Sequence, residues 1–337
     1  MTTGSRQLWM RLFLPFAARY FLSYLYRTAN AVIGPVLARD LGLADNALGL
    51  LTSTYFLAFG AAKLPLGILL DRFGPRRVEA ARLLIAATGA AVFAMSGSLH
   101  GLAIGRALIG LGVSACLMAS FKAFSQWFPP ERQASLTGWI MASGGLGALA
   151  AAKPLEMALA ITGWREILLA LAAATLAVAA ALLWFVPDKP VAEKGANLAE
   201  QFSGVRQIYF SRHFWRYGPL AFWLTGGFMA VQGLWATRWM NVIEHMGSTA
   251  IAARLSWISG AMLAGFLFMG FFTTGLVRRG IRLESVYLAA MLAAIVGLAS
   301  LTSFPTTGGN LLWPLLGACF SLSNIAYSLV AQAFPPA

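Results

Sequence analysis

Stretches of about twenty residues with almost no charge recur along this chain. A segment of that length and composition is stable as a helix that satisfies its own backbone polar groups inside a lipid bilayer. Ten can be delimited: Leu12 to Leu37, Asn46 to Leu70, Val78 to Ser96, Leu102 to Phe128, Ser135 to Ala158, Trp164 to Val186, Tyr217 to Ile243, Ile251 to Val277, Leu283 to Phe304 and Leu311 to Phe334. Together they take up most of the 337 residues, and no stretch is left that would make a soluble domain. The composition agrees, with 59% hydrophobic and only 11% charged residues and a mean hydropathy of +0.71, whereas soluble domains are about a quarter charged. The expected fold class is all-α, a polytopic membrane protein whose solvent is the bilayer. The first apolar run is too long for a signal peptide, carries Arg19 and Arg27, and is expected to be a retained helix.

The net charge of +13 would suggest nucleic acid in a soluble protein, but its distribution excludes that partner. With the N-terminus inside, fifteen of the 25 Lys and Arg fall on the cytoplasmic side, from Arg6 and Arg11 through Arg72, Arg76, Arg77 and Arg82 to Arg278, Arg279 and Arg282. Four, Arg39, Arg165, Arg238 and Arg254, fall on the outer side. That asymmetry is the orientation signal of a membrane protein, and it sets the expected localisation as integral to a bacterial inner membrane with a cytoplasmic N-terminus. The two cysteines, Cys116 and Cys319, lie in apolar runs and offer neither a disulfide framework nor metal-ligand spacing.

The chain carries an internal repeat. The loop after the second stretch reads Asp71-Arg72-Phe73-Gly74-Pro75-Arg76, and the loop after the eighth reads Val277-Arg278-Arg279-Gly280-Ile281-Arg282, so Gly74 and Gly280 are 206 residues apart. Phe128-Pro129-Pro130 and Phe334-Pro335-Pro336 share that offset. Glycine permits a tight loop and paired prolines end a helix. The period is six helices, giving an N-terminal six-helix bundle over 1–186, a cytoplasmic linker over 187–215 and the first four helices of a C-terminal bundle over 216–337. The last two helices of a second copy would fall at about residues 341 to 392, so the chain is expected to be a fragment or truncated form of a twelve-helix protein.

Gly67-Ile68-Leu69-Leu70-Asp71-Arg72-Phe73-Gly74-Pro75-Arg76-Arg77 fits G-x-L-x-D-R-x-G-x-R-R. It resembles the signature loop of the major facilitator superfamily, and the resemblance implies two six-helix bundles and a gating latch made by Gly67, Asp71, Arg72, Gly74, Arg76 and Arg77. A carboxylate at a helix end, facing basic groups and a neighbouring helix, can make such a latch. The second copy has Val277 in place of Asp71. Arg106-Ala107-Leu108-Ile109-Gly110-Leu111-Gly112 is similar to the superfamily's R-x-x-x-G-x-G on the fourth helix, which adds Arg106 to the gating set. Gly138, Gly144, Gly145 and Gly147 with Lys153-Pro154 resemble its glycine-rich fifth helix. These glycines sit inside apolar spans, where they suit close helix packing and not a phosphate loop.

Six bases lie inside the spans: Arg19, Arg27, Lys63, Arg106, Lys122 and Lys153. Each is expensive in hydrocarbon, so one far from the interface is expected to line the bundle interior or a wet cavity. Arg19 and Lys122 are close enough to the cytoplasmic surface to snorkel, and Lys153 has Glu156 at i+3 for a local pair. Arg27 stands on a polar face with Tyr20, Ser23, Tyr24, Asn30 and Gly34, and Lys63 on a face with Phe56, Phe59, Gly60 and Gly67. Glu156 is expected to be the only carboxylate well inside a span, so the interior is biased towards binding anions. Tyr24-x-x-Arg27, and Phe59-Gly60-x-x-Lys63 running on to Asp71-Arg72, resemble the organophosphate:phosphate antiporters of the superfamily. That resemblance implies phosphate-holding roles for Arg27 and Lys63. Two positions depart from that group: Val231-Gln232-Gly233 occupies the place of its seventh-helix arginine, and Ser143 that of its fifth-helix histidine.

The expected substrate-binding set is Arg27, Lys63, Tyr24 and Asn30, with Gln232, Asn324 and Tyr327 from the second half. The expected function is secondary transport of a small anionic solute by alternating access, coupled to a proton or to an exchanged anion. No catalytic Ser/His/Asp set, Walker loop or metal-ligand pair is visible, so neither enzyme activity nor a cofactor is expected. Two alternatives stay open: efflux of drugs or hydrophobic cations, which would require a carboxylate in the cavity, and a membrane sensor that binds ligand without moving it.

Overall fold

A computed structural model describes residues 3–63, 65–128, 130–187, 209–303 and 309–325. The chain divides into two compact units, Met1–Gly195 and Ala196–Ala337. The described residues of each form α-helices joined by short turns. In the first unit these are α1 (Thr3–Thr28), α2 (Asn30–Leu41), α3 (Asp45–Ala61), α4 (Leu66–Met95), α5 (Leu99–Val113), α6 (Cys116–Trp127), α7 (Pro130–Ala150), α8 (Lys153–Leu159) and α9 (Trp164–Phe185). In the second they are α10 (Arg212–Ala230), a π-helical turn at Val231–Trp235, α11 (Ala236–Val242), α12 (Ser248–Arg278), α13 (Leu283–Ser303) and α14 (Gly309–Ser323). Most of the expected linker 187–215 lies outside the described residues, and α10 begins within it. Tyr327 and both proline pairs' partners in the repeat, Pro129 and Phe334 to Pro336, also lie outside them.

Five helical stretches are long and apolar enough on their own to cross a bilayer: Leu66–Met95, Leu99–Trp127, Trp164–Phe185, Ser248–Met269 and Glu284–Ser303. Several expected spans are instead interrupted. The second stretch, read from sequence as one helix from Asn46 to Leu70, breaks at residues 62–65, because Pro65 has no N–H to donate and its ring crowds the preceding turn. The fourth, though long enough as a whole to cross, has a turn at residues 114–115 within Leu99–Trp127, where no proline explains it. The chain after the second stretch does not leave the helix as a loop. It turns at Gly74, whose φ of 76° and ψ of 158° lie inside α4, and continues towards Met95. Gly280, its repeat counterpart, has φ of 81°. Both copies therefore place glycine at a backbone conformation that a Cβ would strain.

The repeat extends to packing. In the first unit α3 and α4 both pack on α5, and in the second α12 and α13 both pack on α14. In each, a glycine makes room for backbone approach. A Cβ on Gly110 of α5 would strike the Tyr55 carbonyl of α3, and one on Gly317 of α14 would strike the Ile258 carbonyl of α12. Without a hydrophobic force between helices in lipid, such small-residue contacts supply much of the association. In the first unit α1 packs on α7 and α9, and α4 packs on α9, which closes the bundle around α1.

A buried charged cluster ties three of these helices together and corrects the sequence reading. Arg19 does not snorkel. It is 0% exposed, pairs with the equally buried Glu79 of α4, and donates to the Cys116 carbonyl at the start of α6. Glu79, the second residue of the expected span Val78 to Ser96, is a buried carboxylate in addition to the expected Glu156. Arg82, assigned to the cytoplasmic surface from sequence, is buried one turn further along α4. It donates to the Leu111 carbonyl and to Ser114 Oγ, both at 2.5 Å. The two arginines thus serve oxygen atoms on either side of the α5–α6 break, and the Leu111 carbonyl is one that the end of α5 leaves unpaired. Truncating Glu79 to Ala leaves Arg19 uncompensated, and a loss of about 3–5 kcal/mol is expected. Thermal unfolding in detergent should show that loss, with most of it recovered in the double variant Arg19→Met/Glu79→Leu. An unchanged melting temperature for Glu79→Ala would contradict a buried pair.

Candidate anion-binding site

Arg27 occupies the last turn of α1, beside the interruption before α2. Its guanidinium carbon lies 4.5 Å from the centre of the Tyr24 ring and 4.9 Å from that of Phe59 on α3. Tyr20, Tyr24 and Tyr55 are its electrostatic neighbours. Its Nε is buried without a hydrogen-bond partner, as is the Tyr55 hydroxyl. Arg27 makes no ion pair among the described residues. Lys63 stands in the turn between α3 and α4, exposed, with Nζ 4.8 Å from the centre of the same Phe59 ring. Two cations sharing one ring at these distances lie within about 10 Å of each other. The surrounding rings are themselves fixed: Tyr20 and Tyr24 meet edge to face at 5.1 Å and Tyr55 stacks on Phe59 at 6.0 Å. Gly144 of α7 leaves the space that Tyr20 and Tyr24 fill, since a Cβ there would come within 2.6 Å of Tyr20 and 2.8 Å of Tyr24.

The other embedded bases are engaged. Arg106 on α5 is 5% exposed. It donates to the Tyr26 carbonyl at 3.3 Å and to Asn30 Oδ1, with Phe93 beneath it at 5.1 Å. Asn30 in turn donates to Thr52 Oγ1 at 2.9 Å, so both ends of its amide are used inside the bundle, joining α2, α3 and α5. Lys153 pairs with Glu156 at 2.6 Å, the local i,i+3 contact expected from sequence. Lys122, expected to snorkel, pairs instead with Asp71. Of the expected latch residues, Asp71 therefore bridges the end of the second stretch to α6. Gly67, Arg72 and Arg77 are exposed, Arg72 lies against Phe73, and Arg76 donates to the Leu183 carbonyl at the end of α9.

In the second unit Gln232 lies in the π-helical turn, buried, with its amide 3.5 Å from Ser259 Oγ on α12. A π-turn inside a helix often marks a functional position, and this one falls where the sequence comparison with the antiporters lost its arginine. Asn324 donates to the Phe320 and Ser321 carbonyls. Arg254, placed in an outer loop from sequence, is half-buried on α12. It pairs with Glu244 at 2.9 Å and donates to Asn310 at 2.5 Å, while Trp313 Nε1 donates to Glu244 at 3.0 Å.

The structure thus brings Tyr24, Arg27 and Lys63 together and adds Tyr20, Tyr55, Phe59 and Gly144, which sequence reasoning did not place at the site. The i,i+4 spacing of Phe59 and Lys63 was visible, but the meeting of Phe59 with Arg27 is a tertiary contact.

The major facilitator superfamily family model matches residues 16–337, nearly the whole chain. The chain belongs to the major facilitator superfamily. Superfamily relatives include a probable sulfoacetate transporter of Cupriavidus necator, 26% identical over 171 residues, covering 51% of this chain and 40% of the relative. A probable L-galactonate transporter of Escherichia coli is 25% identical over 299 residues, covering 80% of this chain and 62% of the relative. The chain therefore spans less than two thirds of the length of these relatives. Among solved structures, a bacterial homologue of the human lysosomal transporter Spinster, inward-facing and unoccupied, superposes with a TM-score of 0.72 at 16% identity over 96% of this chain and 75% of that one. Superfamily membership makes the chain an integral membrane protein, and its relatives are transporters, not enzymes.

An exposed Lys63 and a fully buried Arg19 differ in access. In a background whose only other cysteines are the buried Cys116 and Cys319, Lys63→Cys is expected to react with a water-soluble, membrane-impermeant thiol reagent, and Arg19→Cys to stay unlabelled. Equal labelling of the two, read by mass spectrometry, would contradict this placement.

Proposed function

We propose that this protein is a secondary active transporter of a small organic anion in a bacterial inner membrane, with its N-terminus in the cytoplasm. Arg27 and Lys63 hold the anionic group, Tyr24 and Tyr55 border it, and the Asp71 loop gates the change between open states. The observation that carries this reading is the contrast in charge compensation. Arg19, Lys122 and Lys153 each have a carboxylate, and Arg106 has neutral oxygens. Among the described residues Arg27 and Lys63 lie against aromatic faces, with the Tyr55 hydroxyl beside Arg27, and neither has a carboxylate. A fixed cation in a low-dielectric site favours a ligand that brings the missing charge. The two relatives described as probable sulfoacetate and L-galactonate transporters are consistent with such a ligand.

Coupling follows from the same contrast. Of the first unit's carboxylates, Glu79, Glu156 and Asp71 are ion-paired, which leaves none of these three free to carry a proton beside the substrate. Returning the empty site through the membrane would enclose two uncompensated cations, so reloading with an anion is favoured, and we assign the protein to anion exchange. Efflux of hydrophobic cations lacks its required counter-charge at this site.

Proteoliposomes containing the protein are expected to take up labelled sulfoacetate, galactonate or phosphate, faster when the lumen holds unlabelled anion and without need of a proton gradient. Arg27→Ala should reduce that uptake at least a hundredfold while leaving the thermal unfolding temperature within a few degrees. Uptake unaffected by Arg27→Ala would remove this residue from the site. Binding of an anion without flux would identify a sensor.

A further inference from the structure

We propose that Phe59 is a positioning residue of the anion site: its aromatic face stands in for a counter-ion and holds Arg27 and Lys63 together as a pair when no anion is bound. The proposal rests on the anion-binding reading above and adds a role for a residue that carries no charge. Its ring lies 4.9 Å from the Arg27 guanidinium carbon and 4.8 Å from Lys63 Nζ, two like charges that come from different elements, α1 and the α3–α4 turn, and that repel one another. The negative face of an aromatic ring attracts a cation without bringing a formal charge. It can therefore lower the penalty of an empty cationic site without competing with the ligand as a carboxylate would.

The placement is built and not incidental. Tyr55 stacks on Phe59 with planes 20° apart, which fixes the ring's direction. The backbone of Tyr55 is itself clamped against Gly110 of α5. Lys63 is one helical turn after Phe59, the i,i+4 spacing that sets its side chain beside the ring. Arg27 is fixed by a second ring, Tyr24, three residues earlier on its own helix. Both cations are thereby tied to one ring, at 4.9 and 4.8 Å from its centre.

The electronic contribution can be separated from packing. Fluorine atoms on the ring withdraw electron density from its face while changing its shape little, so Phe59 is replaced in the intact protein by phenylalanine carrying one, two and three fluorines, alongside Phe59→Leu and Phe59→Trp. The readouts are the half-saturating concentration and maximal rate of sulfoacetate, galactonate and phosphate exchange, with sulfoacetate-dependent thermal stabilisation as a check that does not require flux. The half-saturating concentration is expected to rise stepwise with fluorination, by about tenfold at three fluorines. Phe59→Leu should match the trifluorinated ring, and Phe59→Trp should stay near the parent, with maximal rates altered much less. A flat series, with Arg27→Ala still inactive, would overturn the role of Phe59 and leave the anion site standing. A protein in which the parent and Arg27→Ala respond alike to all three anions would overturn both.

Discussion

Positive charge inside a membrane has to be met by something, because no bulk water is there to meet it. In the first unit that requirement organises much of the structure. Arg19 is met by Glu79, Lys122 by Asp71 and Lys153 by Glu156, and each pair joins or steadies neighbouring elements. Arg106 is met by the Asn30 amide and the Tyr26 carbonyl. Among the described residues Arg27 and Lys63 are met by rings and the Tyr55 hydroxyl but by no carboxylate, and on the proposed reading this incompleteness gives the bundle a place for a charged visitor.

The interruptions of the helices belong to the same account. A straight transmembrane helix has no unpaired carbonyls to offer, whereas a broken one does. At the α5–α6 break the Leu111 carbonyl, left over at the end of α5, receives Arg82, so the broken backbone and that buried arginine stabilise one another, and Arg19 adds a bond to the Cys116 carbonyl at the start of α6. At the α1–α2 junction the Tyr26 carbonyl receives Arg106, one residue from the candidate site cation. Lys63, at the break after Ala62, lies beside Phe59 one helical turn earlier. Glycines set the remaining geometry, admitting α3 to α5 at Gly110 and the two tyrosines against α7 at Gly144.

Much of this was readable in the sequence, and the boundary between readable and unreadable has physical causes. Apolar run length gave the helices, and the glycine-centred repeat at Gly74 and Gly280 reappears as two positive φ angles. Arg27, Tyr24 and Lys63 stood out because charge on an apolar face is rare. Glu79 did not, since it stands at the very start of the expected span Val78 to Ser96, directly after a basic loop. Only the turn of the chain at Gly74 carries it into the bundle, to a partner 60 positions earlier. The same turn buries Arg82. The π-turn at Val231 and the break after Val113 have no proline to announce them. Phe59 stood out only as a neighbour of Lys63 on one helix face, and its meeting with Arg27 is made by the tertiary fold.

The central claim is that Arg27 and Lys63 form an uncompensated pair completed by an anion. Its most direct test is crystallographic: crystals grown with selenate, with anomalous diffraction recorded at the selenium edge. The account predicts a selenium peak within bonding reach of the Arg27 guanidinium and the Lys63 ammonium, lost in the Arg27→Ala/Lys63→Ala variant. Finding either cation held by a carboxylate or turned into the acyl chains, with no selenium beside it, would contradict the account.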